Sequence, residues 1–248
     1  MIIIGNGNVA LDCARLLAKE KNEFYNSDIT EYSLNSIVNS SIENIYIIGR
    51  RSPLEAKFTI AELRELGKLN SYKTIIDYPK NYLEEIMSTQ NLDTKIKKNI
   101  EILLDYKKDN SDKKNSIIFK FLLSPSEIIG KEQVASVKFR KNILENNILN
   151  STEDFEEIEA GLVISAIGYD TNKINDIPLN KYNNHYLNES GYIGKNIYVT
   201  GWAANTSVGV IGSNKIAASE VSNKILKEIV SKKENSSKKL ISYLNSNN

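Results

Sequence analysis

The chain opens on Met1-Ile2-Ile3-Ile4-Gly5-Asn6-Gly7-Asn8-Val9-Ala10, an apolar β-branched run that stops at a glycine and continues as a helical pattern. Leu11, Ala14, Arg15, Leu17 and Ala18 carry that pattern on, so the segment reads as strand, tight turn and helix. A buried strand running through a glycine turn into a helix is the junction that opens a dinucleotide-binding α/β unit. In Gly5-x-Gly7-x-x-Ala10 each small residue has a separate job. Gly5 permits the turn, Gly7 lets a ligand's anion approach the backbone, and Ala10 lets the helix lie close to the strand. Alone, the pattern is as often a packing device as a nucleotide site.

The second strand, Ile45-Tyr46-Ile47-Ile48, ends at Gly49-Arg50-Arg51. In a dinucleotide site the residue here meets the adenosine ribose: a carboxylate accepts from the 2′-hydroxyl of NAD, and arginines meet the 2′-phosphate of NADP. Two planar charged forks suit a phosphate. A solvated arginine pair on a loop is the plain alternative, and the glycine turn upstream tips the reading towards NADP(H).

The 248 residues, 41% of them hydrophobic, suffice for one large or two modest domains with a core. A net charge of +1 gives no whole-chain field for nucleic acid or membrane binding. The single cysteine, Cys13, falls on the inner side of the first helix and reads as a buried packing residue, with no Cys-x-x-Cys pair. His185, the only histidine, lies in a polar loop without companions for a metal. No secretory pattern is expected at Met1, and no apolar run nears the ~20 residues that span a bilayer.

Further along, 28–38 reads as an inserted helix capped by Ser27 or Asp28, and Thr59 caps a short helix, with Glu62 as its capping-box partner, ending at Gly67. A helix is predicted over 90–106 and a strand over 117–123. Weaker strands at 134–139 and near Ile158 suggest an antiparallel meander added to the sheet. Buried strands are expected at 160–169 and 196–202, then a helix over 213–230 and a Lys/Ser-rich tail that frays.

Taken together, the strings Gly5-Asn6-Gly7-Asn8-Val9-Ala10-Leu11-Asp12, Gly49-Arg50-Arg51-Ser52-Pro53, Phe58-Thr59-Ile60-Ala61-Glu62-Leu63-Arg64-Glu65-Leu66, Ser165-Ala166-Ile167-Gly168-Tyr169, and Gly201-Trp202 followed by Gly209-Val210-Ile211 resemble the adrenodoxin reductase type of ferredoxin–NADP reductase. The glutamate synthase small subunit shares the glycine turn, but the arginine pair and the Phe-Thr-x-x-Glu-Leu-Arg helix match the adrenodoxin reductase branch. The resemblance implies a two-dinucleotide flavoprotein: a Rossmann-like NADP-binding domain over 1–162, the carboxyl-terminal part of an FAD-binding domain over 163–232, and a polar tail over 233–248. It places Asn6, Gly7, Asn8 and Val9 on the NADP pyrophosphate, Arg50 and Arg51 on the 2′-phosphate and Glu62 on the same nucleotide. Trp202, Gly209, Val210 and Ile211 would touch the flavin. Arg64, Lys95, Lys97 and Lys98 would form a docking surface for an acidic iron–sulfur partner, with a solvated helix face as the plain alternative.

The family begins with its own Gly-x-Gly-Pro-Ala-Gly turn and the segment binding the ADP half of FAD, and no counterpart precedes Met1 here. The segment Ala203-Ala204-Asn205-Thr206-Ser207-Val208 also lacks the basic residue and Pro-Thr pair usual before that glycine. The sequence is therefore read as a truncated NADPH-dependent reductase that passes electrons through FAD to a ferredoxin or adrenodoxin. The reading places it in a bacterial cytoplasm or, in a eukaryote, the mitochondrial matrix. The alternatives are an NADP-binding module or gene fragment without redox turnover, or a fragment similar to the glutamate synthase small subunit.

Overall fold

The computed structural model describes residues 1–88, 92–145, 148–180, 185–205 and 211–246. The chain divides into two compact units, Met1–Ile167 and Gly168–Asn248. In the first, strand β1 (Ile2–Ile4) runs into helix α1 (Asn8–Ala18), and α2 (Glu31–Val38) leads to β2 (Asn44–Ile48). Then come α3 (Ile60–Leu66), β3 (Tyr72–Asp77), α4 (Lys80–Ser88), α5 (Thr94–Tyr106) and β4 (Asn115–Lys120). Three antiparallel strands, β5 (Leu123–Gly130), β6 (Val134–Glu145) and β7 (Ile148–Glu159), precede β8 (Val163–Ser165).

The main sheet has the order β3-β4-β2-β1-β8, every pairing parallel. Side chains alternate across it with the two-residue period of a strand. Ile3, Ile45, Ile47, Ile117 and Phe119 face a core shared with Ala10, Leu11, Ala14, Leu63, Leu83, Ile100 and Leu103 of α1 and α3 to α5. Ile2, Ile48, Ile4, Tyr46 and Val163 face the other way, onto Leu123, Val137, Phe139 and Ile158 of the antiparallel strands. The long apolar runs of the sequence are thus buried on both faces, as parallel strands require.

Several expectations shift. The meander forms its own three-stranded sheet, β5-β6-β7, packed on the parallel sheet and not added to its edge. The run expected as one strand over 117–123 breaks after Lys120, because Leu122 takes φ 59° and turns the chain into β5. Thr30, accepting from Ser33 N, caps α2 in place of Ser27 or Asp28. The helix predicted over 90–106 begins at Thr94, where Asp93 caps it. Cys13 is half-buried, and desolvation followed by the Asp12 charge pushes its thiol pKa up. Val163–Ser165, placed by sequence after a boundary at 162, pairs with β1 in the first unit.

The second unit contains a short antiparallel pair, β9 (Tyr192–Gly194) and β10 (Ile197–Tyr198), followed by α6 (Ile211–Ser246). The buried strand expected over 196–202 is only this two-residue piece, with Ile197 exposed. Gly191 (φ 81°) lets the chain pass against α6, since a Cβ there would lie 2.3 Å from Val221 Cγ2. Helix α6 continues through Ser246, where sequence composition predicts fraying.

Candidate nucleotide site

In the parallel sheet the chain leaves β1 to pair β2 on one side and β8 on the other, so the strand order reverses at β1. Ligands of open α/β sheets bind in the crevice at the carboxyl ends of the strands beside such a reversal. Gly5 occupies that position with φ 123°, and a Cβ on it would come within 2.2 Å of Ala166 O at the end of β8. The glycine is needed for the two strand ends to come together. Gly7 is different: its backbone is extended, and an added Cβ would meet only Lys57 Cβ at 3.8 Å.

Gly7 is the residue before α1, and no side chain caps that helix. Asn8 and Val9 therefore present amide N–H groups that have no intrahelical acceptor. No acidic residue occupies the first turn, so the positive end of the helix dipole is uncompensated. These features fit a pyrophosphate. Around the turn, Lys57 N donates to Asn6 O (3.2 Å), and Thr59 N donates to Asn8 Oδ1 (2.7 Å). The loop leading to α3 is thereby tied to the glycine turn. Asn99, buried in α5, holds the same loop by donating from Nδ2 to Phe58 O at 3.2 Å.

At the end of β2, Gly49 is enclosed: a Cβ would meet Asn6 Nδ2 at 2.6 Å, so the arginine loop lies directly against the glycine turn. Arg50 is exposed and makes no ion pair with a described residue. Arg51 is half-buried, with its guanidinium 4.0 Å from Glu55, whose carboxylate accepts from Ser52 Oγ at 2.5 Å. Two cations and an open helix N-terminus thus stand side by side, an arrangement able to hold a polyanion with phosphates at two positions.

Glu62 lies in the first turn of α3 and turns towards α1. Its Oε2 is 3.3 Å from Arg15 Nη2, and Arg15 also pairs with Asp12 at 2.8 Å. Desolvation, with Asp12 second, raises the Glu62 pKa above the usual carboxylate range, against the pull of Arg15. Glu62, which the resemblance assigns to the nucleotide, makes an ion pair with Arg15 between α3 and α1. Arg64, Lys95, Lys97 and Lys98 are all exposed on α3 and α5. In the second unit Trp202 is partly exposed and its ring lies 5.9 Å from that of Tyr169. Gly209 and Val210 lie outside the described residues, as does the side chain of Ile211, the first residue of α6. Among the described residues no group of histidine, cysteine and carboxylate side chains could hold a metal.

No protein-family model matches the chain. It is 33% identical to NADPH-ferredoxin reductase FprA of Mycobacterium tuberculosis over 94% of its own length and 53% of that protein's. It is 30% identical to the mitochondrial NADPH:adrenodoxin oxidoreductase of Arabidopsis thaliana, over 92% of the chain and 53% of the relative. The solved structure of Mycobacterium tuberculosis FprA in complex with NADPH superposes with a TM-score of 0.84 at 32% identity, covering 95% of this chain and 53% of that one. The chain spans about half the length of the curated relatives it matches.

Proposed function

We propose that this chain, a homologue of the adrenodoxin reductase-type ferredoxin–NADP reductases that spans about half their length, is the NADPH-holding part of a flavoprotein reductase acting on a ferredoxin-type iron–sulfur protein. The observation carrying the proposal is the juxtaposition, through Asn6 and Gly49, of an uncapped helix N-terminus with Arg50 and Arg51. Bound NADPH would supply a hydride and FAD would divide it into the single electrons that an iron–sulfur centre accepts.

What the chain's own residues contribute is binding and orientation. Backbone N–H groups over 6–9 hold the pyrophosphate, and the forks of Arg50 and Arg51 take the 2′-phosphate. Glu62, oriented by Arg15, keeps α3 in register with α1 and contributes to the nucleotide's surroundings. Trp202, with Gly209, Val210 and Ile211, is assigned to the flavin, a broad indole being suited to cover a cofactor edge. Arg64, Lys95, Lys97 and Lys98 form the docking surface for the acidic electron carrier, whose approach such charges would steer. Relatives of this chain occur in bacteria and in mitochondria, and the reading places it in a bacterial cytoplasm or a mitochondrial matrix.

The test is the double substitution Arg50→Ala/Arg51→Ala. It should weaken NADPH binding by several kcal/mol, since a charged hydrogen bond is worth about 1.5–3 kcal/mol, and leave NADH binding nearly unchanged. An unchanged NADPH affinity would remove the basis of the proposal.

A further inference from the structure

We infer that Asn142, on β6 of the antiparallel sheet, is a positioning residue that sets the preference for NADPH over NADH by fixing the backbone of the arginine loop. The inference rests on the proposed role of Arg50 and Arg51. Asn142 is buried, and it follows a register shift in the pairing of β6 with β7. Its Nδ2 donates to Arg50 O at 3.0 Å and to Ser124 Oγ at 2.8 Å, while Oδ1 accepts from Ser151 Oγ at 3.3 Å. Its backbone N–H donates to Leu122 O at 2.8 Å.

The loop is held carbonyl by carbonyl. Gly49 O accepts from Leu123 N at 3.1 Å, and Arg51 O accepts from Leu122 N at 3.2 Å. The corner between β4 and β5, where Leu122 adopts φ 59°, thus supplies the outer pair of donors. Arg50 O, between them, receives its bond from the Asn142 side chain. With these carbonyls anchored inward, the chain direction through Arg50 and Arg51 is fixed, and both forks start from a set backbone. An amide suits the position, because one side chain donates towards a carbonyl and a hydroxyl and accepts from a second hydroxyl. A buried polar side chain with every partner satisfied specifies one geometry. The Asn142 side chain itself bonds no residue of the glycine turn, so its removal acts on the arginine loop and leaves in place the helix N-terminus that NADPH and NADH would share.

The experiment titrates NADPH and NADH into the 248-residue chain carrying Asn142→Ala and, separately, Asn142→Ser. NADPH affinity should fall about tenfold, the equivalent of one hydrogen bond, while NADH affinity stays within about twofold. A general loss of structure would weaken both nucleotides alike. Equal weakening of both, or no change in either, overturns the inference, as does failure of both variants to give a cooperative thermal transition. Arg50→Ala/Arg51→Ala run in parallel separates the two levels. If that double variant keeps its NADPH preference, the arginine reading itself fails and this inference with it. If it loses the preference while the Asn142 variants retain theirs, only the role of Asn142 is refuted.

Discussion

Gly5 and Gly7 stand in one turn and do different work, which substitution can separate. Alanine at Gly5 would place a methyl 2.2 Å from Ala166 O at a φ of 123°. Gly5→Ala should therefore destabilise the fold by about 1–3 kcal/mol or more, measured by urea unfolding. Gly7→Ala has room beside Lys57 and an extended backbone, so the unfolding midpoint should hardly move. Its methyl stands before the helix N-terminus, and NADPH affinity should drop. Equal stability losses at the two positions would contradict this division. Glu62 offers a second residue-scale test. Its folded pKa is raised, first by desolvation and then by Asp12, so folding favours the protonated form and the charged form costs stability above the usual carboxylate range. Glu62→Gln should raise the melting temperature near about pH 7, and the gain should disappear as pH falls below that range. A gain that persists in acid would assign the effect to something other than charge.

At the scale of elements, α3 is joined to α5 by one tyrosine. Tyr106 donates to Leu63 O at 2.6 Å and accepts from Gly67 N at 3.0 Å, and burial pushes its pKa up to about 12. Tyr106→Phe leaves those groups to find water, and should cost about 1–3 kcal/mol in chemical unfolding with no change in nucleotide selectivity. In the unaltered protein the raised pKa means that the unfolded chain releases this proton first. The stabilisation is whole below about pH 10 and is lost as pH climbs towards about 12. The elements legible in the sequence are those whose signals are local. The β1 run, Gly5, Gly7 and the Thr59 cap of α3 all sit within a few residues of what they control. Strand β3 carries a weak local signal, because its buried Tyr72, Thr74 and Ile76 include a polar residue and alternate with Lys73, Ile75 and Asp77, which include an apolar one. Asn142 and Asn99 carry no local signal at all. Asn142 bonds a carbonyl 92 residues away, and its role exists only once the two sheets have packed. The break at Leu122 and the independence of the meander likewise follow from tertiary pairing, which outweighs the continuous apolar pattern.

For the whole molecule, the first unit holds the strand-order reversal with its glycine turn and arginines, while of the residues proposed for the flavin the described part of the second unit offers Trp202, beside Tyr169. A chain spanning about half of its relatives is expected to bind NADPH yet purify without a stoichiometric flavin, because association costs fall on few contacts. The visible absorption spectrum checks this, and a yellow complex with one flavin per chain would refute it. Among the described residues no helix is long and apolar enough to cross a membrane. The central claim is that an open helix N-terminus beside Arg50 and Arg51 makes a site for NADPH. Its most direct measurement is calorimetric titration of the unaltered chain with NADPH and with NADH at one low salt concentration. The account predicts tighter binding of NADPH by at least about tenfold, the contribution of a single charged contact to the 2′-phosphate. Equal affinity for the two nucleotides would contradict it.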